Sequence, residues 1–159
     1  MILQNFKNGY NVTDGSILAT SEKNDCAVRA VANAFNVNYD TAHTFAADVL
    51  GRKAKRGVIG MYTKLIKANK VTFDLFEDTL FPETKTFKLV GNSSPINTAY
   101  KHKKVKYTVK TFCAKYNNGT YIILVKGHAL SIINGVVVDN AKMQFTGYRR
   151  PVESFIKVC

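Results

Sequence analysis

Three side chains in this 159-residue chain are of types that together perform acyl transfer: Cys26 in Asn24-Asp25-Cys26, His128 in Gly127-His128-Ala129, and Asp139 at the end of Val136-Val137-Val138-Asp139. The thiolate is the nucleophile of cysteine chemistry, and it forms near neutral pH when an imidazolium or the amino end of a helix lies beside it. An imidazole serves as base and then acid when a carboxylate fixes its tautomer and favours its protonated form. Such partners need only be neighbours in space. Each residue alone has a plainer reading. A cysteine in a helix packs as a small apolar group, a strand histidine is often a satisfied structural residue, and an aspartate can simply begin a loop. The elements around them decide whether they meet.

The segment 120–141 reads as a strand over 120–126, a break at Gly127, and two runs joined by Asn134-Gly135. Asn-Gly between alternating apolar runs is a strong hairpin signal, because both residues tolerate the positive φ of a type I′ turn. A two-residue turn sets Ile133 opposite Val136, Leu130 opposite Asp139 and His128 opposite Ala141. Alternation then puts His128, Leu130 and Ile132 on one face with Val137, Asp139 and Ala141. Asp139 becomes the diagonal neighbour of His128, roughly 7–8 Å away between backbones and within side-chain reach. Asn140 points to the opposite side.

In the segment 24–37, Ala27, Val28, Val31, Ala32 and Phe35 recur at helical steps, with Asn24 or Asp25 as N-cap, so Cys26 falls in the first turn. A second helix follows with Asp40 as cap, Ala42, Phe45, Ala46, Val49 and Leu50 inward, and Gly51 at its stop. After the basic link 52–57, a third helix is expected with Ile59, Tyr62, Leu65 and Ile66 inward and Lys64, Lys67 and Lys70 outside. The segment 71–76 reads as a strand, and 77–106, with Pro82 and Pro95, as loops with short strands or a helical turn. Thr108 caps a short helix with Val109, Phe112 and Cys113 inward. Helices first and antiparallel strands later make an α+β chain, N-terminal helices packed on a C-terminal antiparallel sheet, in a single domain over 1–159.

Composition excludes several classes. With 46% hydrophobic and 21% charged residues, 3 Pro and 10 Gly, the chain is neither disordered nor collagen-like. No apolar run approaches the ~18 residues of a membrane span, and the N-terminus lacks an export signal. Cys26, Cys113 and Cys159 have no CxxC spacing, which argues against a disulfide framework or a zinc site and for a reducing compartment, the cytoplasm. No metal or organic cofactor is implied.

The residues Asn24-Asp25-Cys26-Ala27-Val28-Arg29-Ala30, the pattern Tyr39, Asp40, Ala42, His43, and the segment 119–140 resemble the small papain-like cysteine peptidase proteins of phages and bacteria. The resemblance covers roughly 24–140. It implies a papain-like fold, in which a nucleophile helix packs on an antiparallel sheet carrying His and Asp, and a host cytoplasm if the chain is phage-encoded. By resemblance Cys26 is the nucleophile, His128 the base and Asp139 the orienting residue. One position departs from the pattern: the Gln that donates to the oxyanion, about six residues before the cysteine, is replaced by Thr20, with Ser21 beside it. The Cys26 N–H and the Asn24 amide are the remaining candidate donors. Cys113 and Cys159 read as structural or terminal, His43 as a packing or supporting residue, and His102 as solvated.

The charge is less ordinary: 23 Lys and Arg against 11 Asp and Glu give +12. Basic clusters at Arg52, Lys53, Lys55 and Arg56, at 101–106, and at Arg149 and Arg150 read as a solvated face that also attracts polyanions, with Tyr100, Tyr107 and Tyr148 placed to stack on bases. Two functions follow. One is a cysteine-dependent peptidase, isopeptidase or amidase acting through a thioester on a protein or peptide, acidic ones included. The other is a silent papain-like scaffold whose basic face binds an acidic protein or nucleic acid.

Overall fold

In the computed structural model, which describes residues 3–68, 87–91, 107–147 and 149–158, the apolar periodicities become helices and strands in a definite order. The chain runs β1 (Phe6–Asn8), a 3-10 turn (Gly9–Thr13), α1 (Ile17–Ser21), α2 (Cys26–Phe35), α3 (Tyr39–Asp48) and α4 (Met61–Ala68). It continues β2 (Phe87–Gly91), α5 (Val109–Lys115), β3 (Thr120–Val125), β4 (His128–Ile133), β5 (Val136–Asp139), α6 (Ala141–Thr146) and β6 (Val152–Val158). The expected strand at 71–76 and the basic run 101–106 lie outside the described residues, as do Lys70, Tyr100, His102, Tyr148 and Cys159. The segment expected as loops contributes β2.

Asn134 and Gly135 take φ values of 49° and 76°, the positive pair that a type I′ turn demands. The register is the expected one: Ile133 pairs with Val136, Ile132 with Val137 and Ser131 with Val138. The sheet order is β1-β5-β4-β3-β6-β2. Its five strands from the C-terminal part pair antiparallel, and the N-terminal β1 joins the edge parallel to β5. The fold is therefore α+β, with a mostly antiparallel sheet.

Helices cover both faces, where the sequence had pointed to one layer. Ile122, Ala129 and Ile156 meet α2, α3 and α4 on one side. Ile123, Leu130, Ile132, Val137 and Phe155 meet α5 and Met143 of α6 on the other. Val28, Val31, Ala32 and Phe35 of α2 are fully buried; each of the larger ones contributes at most about 1.5–3 kcal/mol by leaving water. Two assignments change, one cap and one inward residue. Asn38, not Asp40, caps α3 by accepting from the Thr41 N–H at 2.8 Å, and Asp40 sits inside the first turn. Ile59 precedes α4 and is 85% exposed, its place in the core taken by Met61.

Candidate active site

Cys26 is the first residue of α2. The residue before it, Asp25, holds the N-cap position but makes no side-chain cap hydrogen bond. Its buried carboxylate instead accepts from the Tyr39 hydroxyl at 2.7 Å and from Arg29 Nε at 3.0 Å, and pairs with Arg29 Nη2 at 3.0 Å. Burial pushes the Asp25 pKa up, but the hydrogen bonds from Arg29 and Tyr39 outweigh it and hold the group below the ordinary carboxylate value. The expected capping role of Asn24 or Asp25 is thus corrected. The positive amino end of α2 carries no side-chain cap, so its field is available to the sulfur and to charge developing beside it.

His128 opens β4, directly after the turn residue Gly127 at φ 69°. Its Nε2 lies 2.6 Å from Oδ2 of Asp139. The aspartate is 5% exposed, so little water competes for that bond. With Nε2 donating to the carboxylate, Nδ1 remains for the sulfur. Cys26 belongs to the layer of α2, and His128 shares strand alternation with Leu130 and Ile132 of the opposite layer. The two meet because His128 is the last residue before the sheet ends.

Cys26 and His128 border the same recesses and lie close enough that each shifts the titration of the other, and the backbone N–H groups of Ala129 and Ala27 also act on the sulfur. Burial alone raises a thiol pKa, but the contact with His128 and the Ala129 N–H overcome it and the Cys26 pKa falls below its ordinary value. Burial likewise lowers an imidazole pKa; the hydrogen bond to Asp139 and the neighbouring Cys26 sulfur reverse this and push His128 up to about 9. Both directions favour the same species, a thiolate beside an imidazolium.

The pair lies between two recesses. A groove of about 700 Å³ extends along Arg56, Val58, Ile59, Met61, Leu124 and Glu153. A smaller one of about 400 Å³ extends toward Asp25 and Asn140. Asn24, Cys26, Gly57, Gly127 and His128 border both, so an extended chain laid through them would cross the sulfur. Asn24, at φ 51°, donates Nδ2 to the Lys55 carbonyl at 3.1 Å. That bond uses one hydrogen of the Asn24 amide, whose residue borders both recesses.

The loop residues were missed as site residues in the sequence, where 52–57 read only as a basic link. Arg52 is not solvated: its side chain is 1% exposed and its Nη2 lies 2.6 Å from Glu22 Oε2. Glu22 also accepts the Lys55 N–H at 3.1 Å and faces His43 Nε2 at 3.3 Å. Burial pushes the Glu22 pKa up, while Arg52, the Lys55 N–H and His43 bring it down to about 2. His43 is thereby a supporting residue. Asn24 was a candidate in the sequence, but the glutamate at 22 and the arginine at 52 that fasten this loop carried no spacing signal.

Other candidates fall elsewhere. Thr20 and Ser21 donate their hydroxyls to the Ile17 and Leu18 carbonyls of their own helix and border neither recess. Cys113 is buried, which pushes its pKa up to about 11. Tyr107 packs edge-on against Phe112 and Tyr116, with ring centroids 6.1 and 5.8 Å apart, so it is part of an aromatic cluster and not a platform for bases. Among the described residues no helix is long and apolar enough to cross a membrane, and no three His, Cys, Asp or Glu side chains gather as a metal site needs. No protein-family model, curated protein or solved structure matches the chain.

Proposed function

We propose that this protein is a cysteine-dependent hydrolase of peptide or isopeptide amides, built on a papain-like fold. The observation that carries the proposal is the contact chain from Asp139 through His128 to Cys26, with the sulfur at an uncapped helix amino end. The Cys26 thiolate attacks the amide carbonyl carbon, and the oxyanion accepts from the Cys26 N–H and from the Asn24 amide. The C–N bond breaks as His128 gives its Nδ1 proton to the leaving amine, which leaves a thioester on Cys26. A water molecule then loses a proton to His128 and adds to the thioester; the carboxylate departs and the thiolate–imidazolium pair returns. Asp139 holds the ring through both transfers. Asn24 takes the place of the glutamine that papain-like peptidases use.

The test is hydrolysis of a panel of fluorogenic peptide amides, together with alkylation by iodoacetamide at pH 7 followed residue by residue. Cys26→Ala abolishes turnover and His128→Ala lowers it by about 10²–10⁴, while wild-type Cys26 reacts far ahead of Cys113. Equal labelling of the two cysteines, with turnover unaffected by either substitution, would end the proposal.

A further inference from the structure

One wall of the larger groove is a loop that should not hold still. Lys53, Lys55 and Arg56 are exposed cations within four positions, and such like charges favour a spread, solvated chain. This loop is fastened instead. Arg52 Nη2 bonds both Glu22 Oε2 at 2.6 Å and the Lys23 carbonyl at 2.9 Å. Lys55 is held from both sides, its N–H on Glu22 at 3.1 Å and its carbonyl on the Asn24 amide at 3.1 Å, and its backbone takes the left-handed φ of 60°. A buried ion pair contributes little net stability after desolvation, but it does fix a conformation. Here it fixes the backbone that presents Arg56, whose N–H bonds the Lys53 carbonyl at 3.1 Å, on the groove it shares with Cys26 and His128.

The rest of that groove decides what the cation is for. Val58, Ile59, Met61 and Leu124 make it aliphatic, and among the described residues lining it there is no Phe, Tyr or Trp on which a base could stack. Ile59 stands 85% exposed at its rim. Glu153 is the one carboxylate lining this groove among the described residues, and the chain as a whole carries +12. We infer that the groove receives an acidic peptide segment, a substrate Glu or Asp side chain meeting Arg56 while apolar neighbours lie against Val58, Ile59 and Met61. This inference rests on the hydrolase reading and names its substrate class. A guanidinium binds a carboxylate through two parallel N–H donors, and the surrounding lysines steer such a segment toward it.

Two reagents of similar size test the field at the sulfur without any substrate: anionic iodoacetate and neutral iodoacetamide. Their rate ratio at Cys26 falls about threefold to tenfold in Arg56→Glu and is retained in Arg56→Lys, as reversal of one charge near the sulfur requires. Among fluorogenic peptides differing only in Glu or Lys beside the scissile bond, the wild type prefers Glu and Arg56→Glu prefers Lys. An unchanged ratio together with an unchanged peptide preference overturns the inference and leaves the hydrolase reading standing. So does a single-stranded oligonucleotide that protects Cys26 from iodoacetamide better than a Glu-rich peptide of equal charge. Neutral iodoacetamide reacting with Cys26 no faster than with free cysteine overturns both.

Discussion

Asp139→Asn isolates the charge of the carboxylate from its shape. In the native protein His128 rises from an ordinary 6.5 to about 9 against the opposing effect of burial, with Asp139 and Cys26 as the causes. That rise corresponds to about 3 kcal/mol in favour of the imidazolium, at about 1.4 kcal/mol per tenfold change. Asparagine can still accept from Nε2 through Oδ1, so the hydrogen bond survives while its charged component, roughly half of its strength, is lost. The imidazolium is then destabilised by on the order of 1 kcal/mol and the His128 pKa drops by about one, Cys26 still favouring the protonated ring. The sign is definite: losing a negative neighbour disfavours the protonated ring. The ring protons of His128 report this directly in an NMR titration from pH 5 to 10. In turnover, the alkaline limb of kcat/KM, set by loss of the proton needed by the leaving amine, moves down by the same amount. A His128 titration near 6.5 in the wild type, or one that does not move in Asp139→Asn, refutes the reasoning.

Two further substitutions probe the supports of the site. Glu22 titrates at about 2 in the folded protein against an ordinary 4.5, so its contribution to stability is complete above pH 4.5 and is lost as the pH falls through about 2. Glu22→Gln lowers Tm at pH 7 and flattens the decline of Tm between pH 4.5 and 2; thermal melts across that range check it, and an unaltered decline contradicts the anchoring role. Gly135→Ala puts a side chain at φ 76° with its Cβ 3.1 Å from the Cys113 carbonyl oxygen and 3.2 Å from Asn117 Cα. The cost exceeds about 1 kcal/mol, lowering Tm by about 2–4 °C or more; an unchanged melt means that the turn does not need its glycine.

The half of the site that was legible in sequence is the half whose geometry is local. Asn134-Gly135 has one favoured turn, that turn has one register, and the register makes Asp139 the diagonal neighbour of His128; the 2.6 Å bond is its consequence. The position of Cys26 at a helix start was equally local, read from the spacing of Val28, Val31 and Phe35. Strands β1 and β6 were not foreseen. β1 is three residues long and is a strand only because β5 offers it a parallel partner. β6, in sequence Val-Glu-Ser-Phe-Ile-Lys-Val, buries five of its seven positions between β3 and β2, so alternation gives no clean signal there. The groove was illegible for a related reason. Arg52 and Glu22 are thirty residues apart, and no spacing rule anticipates that a run of lysine and arginine is tied down by one buried carboxylate.

The failed cap at Asp25 shows how a locally correct rule yields to a stronger long-range one. Aspartate before a helical run is a favoured N-cap because its carboxylate satisfies first-turn N–H groups. Arg29, four residues on, is also within its reach by ordinary helix spacing, and Tyr39 is brought against it by the packing of α3 on α2. Charged hydrogen bonds to a guanidinium and a buried phenol are stronger than a cap worth about 1 kcal/mol, so the carboxylate turns away from the helix. Had it capped α2, a negative charge would occupy the N–H groups beside Cys26, raising the thiol pKa and filling the position an oxyanion needs. The Arg29–Asp25–Tyr39 cluster therefore does more than fill space behind Cys26. By withdrawing one carboxylate from the amino end of α2, it leaves that end electropositive for the sulfur of the next residue.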